Sequence, residues 1–167
     1  IITALVANAI PIFSLFAKAP CQSKGERQFV SVLNFNTEFQ HNDEYRLLES
    51  LLQERKPDII AFVEINKTWA DAIGPFTRNY PYKKMVIEGP GLALLSKFPI
   101  EKAEVRKYGK SNHPRIIATL RISGKAVQVM VAHPTTPQSE AGLQERNAEV
   151  KILGEEIAKL ESPKKKL

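Results

Sequence analysis

The chain has 167 residues, with 24 Lys and Arg against 18 Asp and Glu, three His and one Cys. This length fits one domain. A hydrophobic share of 43% beside 25% charged residues excludes long disorder, collagen-like repeats and a coiled coil. The single cysteine, Cys21, excludes an intrachain disulfide, so stability comes from packing or from a bound metal.

The net charge of +6 is concentrated at the two ends of the chain. Lys18 and the lysine run at 164–166 supply four of the six net positive charges, so a net charge of +2 remains for residues 21–163. Proteins that bind nucleic acid usually carry a basic stripe within the folded domain. A nucleic-acid-binding module without chemistry therefore stays only as a third hypothesis for the function.

The first residues form an apolar segment. Residues 1–17 carry no charge and fall slightly short of the roughly 20 residues that span a bilayer. We predict that residues 1–19 are the end of a transmembrane helix and that residues 20–27 are a linker. A signal-peptide core and a buried helix of the domain are the alternatives. The side of the membrane on which the domain lies stays open.

The next part of the chain predicts two strand–helix units. Residues 29–35 are rich in β-branched and aromatic side chains, which favours a strand. Asn42 or Asp43 is the predicted N-cap of a helix with a stripe of four leucines. The apolar run Ile59–Val63 is typical of a strand that is buried on both faces, and Asn66 is the predicted cap of a second, short helix.

After this point the pattern changes to short strands joined by tight turns. The predicted strands lie near residues 83–87, 91–96, 103–107, 115–122 and 125–132. Ser139 then caps an amphipathic helix over residues 140–161, whose apolar residues recur at helical spacing. Two strand–helix units, a strand meander and a final helix predict a mixed α/β domain built in layers.

Three polar residues follow apolar strands and mark the predicted site. Asn34 ends the first strand, Glu64 ends the buried run, and His133 ends the run AVQVMVA. Layered α/β proteins bind ligands beyond their strand ends, and oxygen ligands suit a hard divalent cation beside a phosphate. Taken singly, each residue has a plain alternative as a turn asparagine, a solvated acid or a loop histidine. The site hypothesis therefore depends on their joint position.

The order of several short sequence motifs resembles that of the endonuclease/exonuclease/phosphatase superfamily, which has the deoxyribonuclease-I-like fold. The matching motifs are VSVLNFN at 30–36, KPDIIAFVEI at 56–65, YPY at 80–82, GLALLSKFPI at 91–100 and VAHPTTP at 131–137. The resemblance implies that residues 28–162 are the N-terminal lobe of this domain, the first half of a four-layer α/β/β/α sandwich. Residues 163–167 would be a basic tail. With its apolar segment, the chain looks like the membrane-anchored bacterial subgroup, which implies the inner membrane.

The resemblance also assigns roles to individual residues. Asn34 matches an asparagine that helps to hold the metal and the phosphate, and Asn36 shares that role. Glu64 matches the glutamate that ligates the catalytic Mg²⁺ or Mn²⁺. His133 matches the residue that contacts the scissile phosphate and assists the leaving group. Arg115 begins a strand from which it can reach the phosphate, although a surface arginine at the start of a strand is at least as good an interpretation.

Two motifs of the family, Gly-Asp-x-Asn and Ser-Asp-His, do not occur in this sequence. In the family they supply the general base and the groups around the attacking water. We therefore expect an incomplete and inactive part of a metal-dependent phosphoester hydrolase, an endonuclease being one form. The substrate would be nucleic acid, a phospholipid headgroup or an inositol phosphate, and no protein partner is implied. The alternative is a truncated, non-catalytic, membrane-tethered binding domain.

Overall fold

The computed structural model describes residues 29–38 and 42–161. The predicted membrane segment 1–19, the linker 20–27 and the basic tail 163–167 lie outside the described residues, so these three assignments stay predictions. Among the helices of the described part, none is both long and apolar enough to cross a membrane.

Seven strands and three helices follow one another in the described part of the chain. The strands are β1 (Val32–Asn36), β2 (Ile59–Val63), β3 (Tyr82–Val86), β4 (Leu92–Ser96), β5 (Ile100–Tyr108), β6 (His113–Ile122) and β7 (Lys125–Ala132). The helices are α1 (Tyr45–Arg55), α2 (Lys67–Ile73) and α3 (Glu140–Glu161), with a short 3₁₀ turn at Pro75–Thr77. The predicted order of elements is confirmed, and a mixed α/β fold results.

The strands form two sheets. In the first sheet the order is β1-β2-β4-β3, with β1 parallel to β2 and the other pairs antiparallel. In the second sheet β5, β6 and β7 form an antiparallel meander. Because β1 and β2 are parallel, their carboxyl ends lie at the same edge of the first sheet.

The two sheets pack face to face, and β2 is buried on both of its faces. Ile60 and Phe62 point toward α1 and α2 in one core cluster. Ile59 and Val63 point toward the second sheet in another cluster. This two-sided burial explains the unbroken apolar run that predicted the strand, because alternation disappears when both faces are covered.

The cap of α1 differs from the prediction. The helix follows Glu44, and neither Asn42 nor Asp43 caps it. Asn42 instead accepts the backbone N–H of Glu44 on its side chain at 2.9 Å and the indole N–H of Trp69 on its carbonyl at 2.8 Å. The second prediction is confirmed, since the side chain of Asn66 accepts the backbone N–H of Trp69 at the start of α2.

Helix α3 lies on the outer face of the second sheet and turns two glutamates inward. Glu149 has no exposed surface, and Glu156 forms ion pairs with Arg115 at 2.6 Å and with Arg106 at 3.0 Å. Three residues of its apolar stripe are 38 to 48% exposed, namely Leu143, Val150 and Ile157. The apolar periodicity therefore predicts the helix correctly but not the face that docks on the sheet.

Candidate functional site

Glu64 ends β2 in an unusual backbone conformation. Its φ is +60°, in the left-handed region that costs a residue with a Cβ about 1–3 kcal/mol. The buried Thr37, which follows β1, holds this turn by donating its hydroxyl to the Glu64 carbonyl at 2.8 Å and its N–H to the Val63 carbonyl at 3.1 Å. The neighbouring strand thus fixes the backbone that carries the carboxylate.

The Glu64 carboxylate meets one side chain from each sheet. Asn36, the last residue of β1, donates its amide N–H to Glu64 Oε1 at 3.1 Å. Nε2 of His133, which follows β7, lies 2.9 Å from the same oxygen. The Glu64 and His133 side chains are 22 and 23% exposed, so the pair is half-buried and open to a ligand. The amide oxygen of Asn36 accepts the N–H of Glu38 at 2.8 Å, which fixes how its amide faces Glu64.

Asn34 lies on the same face of β1 as Asn36, two residues earlier. It pairs with Ala61 on β2, whereas Asn36 pairs with Val63 beside the carboxylate. Two residues along a strand cover about 7 Å. Within the described residues the Asn34 side chain makes no hydrogen bond to Glu64 or His133. The structure thus brings Glu64, Asn36 and His133 into contact and places Asn34 at the near edge of that group.

Arg115 is turned away from this group. Its neighbour Ile116 packs between the sheets, so the Arg115 side chain lies on the opposite face of β6. There the guanidinium pairs with Glu156, donates to the Lys107 carbonyl at 3.1 Å and lies over the Tyr108 ring. Burial raises the pKa of the Tyr108 hydroxyl to about 12. The structure does not bring Arg115 to His133.

The chemistry of the donors decides which cation fits. Glu64 supplies carboxylate oxygens and Asn34 an amide oxygen, and both are hard ligands that suit Mg²⁺ or Mn²⁺. Within the described residues, no three His, Cys, Asp or Glu side chains converge on one point. The residues therefore fit a cation that keeps several waters or takes oxygens from its substrate, which is how Mg²⁺ is usually bound.

Two residues of this region are not apparent from the sequence. Thr37 is one of many polar residues after a strand, and only its buried hydrogen bonds reveal its role. Glu149 lies in a helix where an acidic residue normally faces water. Burial raises the pKa of its carboxyl, but hydrogen bonds from Ser111 and Thr135, with the nearby His113, outweigh this effect and bring the pKa below its usual range.

The family of the chain follows from a sequence comparison. The model of the Endonuclease/Exonuclease/phosphatase family matches residues 33–163. The chain belongs to this family. The enzymes of the family generally use divalent metals, in line with the oxygen donors described above. No curated protein sequence matches the chain.

Solved structures share the fold at low sequence identity. TDP2 of D. rerio in complex with a single-strand DNA product is 17% identical, with a TM-score of 0.70 over 80% of this chain. A β-hairpin deletion mutant of beta toxin from Staphylococcus aureus is 18% identical, with a TM-score of 0.63 over 83% of this chain. An endonuclease/exonuclease/phosphatase protein from Beutenbergia cavernae is 15% identical, with a TM-score of 0.61 over 76% of this chain.

The chain spans only part of these proteins. It covers 56% of that TDP2 chain, 64% of the beta toxin chain and 44% of the Beutenbergia protein. The similarity therefore establishes the fold of the matching part.

Proposed function

We propose that the complete protein is a divalent-metal-dependent phosphodiesterase in which this chain supplies Glu64, Asn34 and His133. The observation that carries the proposal is the 2.9 Å contact between the Glu64 carboxylate and the His133 imidazole. This contact joins the ends of strands from two different sheets, at the position where the family resemblance expects a metal ligand and a phosphate contact. Membership in the family supports the reaction class.

Each residue has a separate task in this proposal. Glu64 and Asn34 would hold Mg²⁺ or Mn²⁺, and Asn36 would fix the orientation of the Glu64 carboxylate by donating its amide N–H to Oε1. His133 would donate from its ring to a phosphate oxygen and stabilise the charge that develops in the transition state. The bound cation would neutralise phosphate charge and that of the leaving oxygen.

We propose nucleic acid as the first substrate class to test, because TDP2 of D. rerio shares the fold and was solved with a single-strand DNA product. Phospholipid headgroups and inositol phosphates are the competing classes. We further propose that residues 1–19 tether the protein to a membrane, supported by the uncharged run at 1–17. Membrane fractionation of the protein with and without residues 1–19 tests the tether, and a soluble complete protein contradicts it.

The chain alone is expected to bind Mn²⁺ but to show negligible turnover, because it contains neither of the two family motifs that supply the general base and the groups around the attacking water. Manganese binding is measured by electron paramagnetic resonance. Glu64→Ala should abolish it, whereas Glu54→Gln, an exposed acid at the far end of α1, should not. Hydrolysis of bis(p-nitrophenyl) phosphate by the chain, lost in Glu64→Ala, would show that the missing groups are dispensable.

The reaction itself is tested on the product of the complete gene with Mg²⁺. Single-stranded DNA, a phosphoinositide and a soluble inositol phosphate are offered in parallel. His133→Gln should lower kcat by about 10²–10³-fold, the range for loss of one hydrogen-bond donor to the transition state, with Glu54→Gln as the matched control. If all three substrates stay intact while Mn²⁺ still binds, the protein is a non-catalytic binding domain and the proposal is wrong.

A further inference from the structure

A buried carboxylate lies behind the loop that carries His133. Glu149 of α3 has no exposed surface. It accepts the backbone N–H of Thr135 at 2.7 Å and the Thr135 hydroxyl at 3.1 Å. The Ser111 hydroxyl also donates to it, and Nδ1 of His113 lies 4.0 Å away. Burying an ionised carboxylate is costly unless hydrogen bonds compensate, and here several donors converge on it.

These contacts join three separate segments of the chain. Ser111 lies in the turn between β5 and β6, Thr135 lies in the loop after β7, and Glu149 lies in α3. The turn fits against the carboxylate only because residue 109 is glycine. A Cβ at Gly109 would lie 2.6 Å from both Cγ and Oε1 of Glu149, and its φ is +69°. The turn and the carboxylate are therefore packed closely together.

The loop after β7 has few other anchors. Residues 133–137 form no regular structure, and the last pair of the strand ladder joins Ala132 to Arg115. Pro134 has no N–H, so Thr135 carries the first backbone donor after His133. That donor is bound by Glu149. His133 thus lies between the last ladder pair on one side and Glu149 on the other.

We propose that Glu149 is a positioning residue that holds the loop of residues 133–137 so that the His133 imidazole faces Glu64. The inference rests on the proposed function in that it takes His133 to be the residue that contacts the phosphate. Glu149 itself touches neither His133 nor Glu64 in the described contacts, and it acts through Thr135. Hydrogen bonds to a charged acceptor are stronger than neutral ones, which suits an anchor for an otherwise irregular loop.

Three variants of the chain separate loop positioning from general packing of α3. Glu149→Ala removes both carboxylate oxygens, which accept hydrogen bonds from Thr135 and Ser111. Glu149→Gln keeps an oxygen for the Thr135 N–H and offers an amide N–H to the two hydroxyl oxygens. Glu156→Ala removes another inward carboxylate of α3, one that pairs with Arg115 and contacts no residue of the loop.

The readouts are the imidazole ¹⁵N signals of His133, assigned with His133→Gln, and hydrogen exchange of the Thr135 amide, both without metal. Glu149→Ala should shift the His133 signals and speed Thr135 exchange about 10- to 100-fold, the range for loss of a hydrogen bond to a charged group. Glu149→Gln keeps an oxygen acceptor but loses the charge, so it should give smaller changes than Glu149→Ala, whereas Glu156→Ala should leave both readouts close to the unmodified chain.

Unchanged His133 signals in Glu149→Ala would overturn the proposal, as would equal shifts in Glu156→Ala. If Glu149→Ala does not fold, Glu149→Asp replaces it, because the shorter side chain keeps the charge but withdraws the acceptors from Thr135. The same shifts are expected, and their absence overturns the proposal. Neither readout requires hydrolysis or metal binding, so a failure of the proposed function is recognised separately.

Discussion

Replacing Gly91 by alanine tests how closely the backbone approaches the site. Gly91 precedes β4 and accepts the N–H of Ile65, the residue after Glu64, at 3.1 Å. A Cβ at position 91 would lie 1.8 Å from the Ile65 carbonyl oxygen, 2.9 Å from its carbonyl carbon and 3.1 Å from the Val86 carbonyl oxygen. All three are backbone atoms, so no side chain can turn aside to relieve the overlap.

The expected loss of stability follows from that overlap. Real Cβ atoms essentially never come closer than 3.0 Å, so the two backbones must separate by more than about 1 Å, and the hydrogen bond from Ile65 breaks. Together with disturbed core packing, Gly91→Ala should cost more than about 3 kcal/mol. For a domain of this size we expect the midpoint of thermal unfolding to fall by roughly 6–12 °C.

Circular dichroism during heating measures the effect, with Gly154→Ala as the control. Gly154 lies inside α3 with nothing within 4 Å of an added Cβ. Alanine there should raise stability by about 0.5–1 kcal/mol. An unfolding midpoint for Gly91→Ala equal to that of the unmodified chain would refute the close approach described here.

Three further measurements address single groups. Glu64→Gly should be more stable than Glu64→Ala by about 1 kcal/mol in urea unfolding, because glycine accepts a φ of +60° without strain; equal stabilities would contradict the strain. Asp58 has its pKa lowered, first by the backbone N–H of Ser31 and then, against the opposing effect of burial, by the Ser31 hydroxyl and Lys97. Its contribution to stability is therefore present above its ordinary pKa and lost as pH falls through the lowered one, so Asp58→Asn should flatten the acid side of a stability–pH curve below about pH 4. Burial raises the pKa of the Tyr108 hydroxyl to about 12, so absorbance titration of the chain against Tyr108→Phe should show its ionisation step near that pH; a step near pH 10 would show that its burial is wrong.

The strands and caps that the sequence predicts correctly are those decided by local chemistry. The run Ile59–Val63 has no polar position, which is typical of a strand covered on both faces, and the structure buries it in two core clusters. Asn66 lies three residues after the end of the strand, and its side chain caps α2 as expected. The predicted cap of α1 is wrong because the Asn42 side chain accepts the N–H of Glu44, one residue before the helix, and α1 begins only after Glu44.

The side of α3 that faces the sheet was not predictable in the same way. Its apolar residues repeat at helical spacing, and by that rule they define the buried face. The outer face of the second sheet instead presents Arg106 and Arg115, which select the carboxylate of Glu156. Glu149 is buried because Ser111 and Thr135, 38 and 14 residues away, supply its donors. Such long-range pairs leave no trace in local periodicity.

For the candidate site, the predicted position at a strand end was right for Glu64 and His133 but wrong for Asn34, which lies in the middle of β1, while Asn36 ends the strand. Asn34 and Asn36 share a face of β1, and the parallel register with β2 decides between them by placing Asn36 opposite Val63, next to Glu64. Register is a property of the pairing of two strands. The roles of Asn34, Glu64 and His133 in binding and catalysis stay predictions that the proposed experiments test.

Three unusual local features gather around the Glu64–His133 pair. Glu64 has a left-handed backbone, Gly91 lies against the Ile65 carbonyl, and Glu149 is a buried carboxylate behind the His133 loop. The left-handed backbone of Glu64 costs stability on its own, and strained residues tend to cluster where function rather than folding sets the sequence. If that holds here, relieving the strain with Glu64→Gly should raise stability or leave it unchanged while removing metal binding. If the strained residue had only a structural role, Glu64→Gly would not exchange metal binding for stability, because there would be no metal binding to lose.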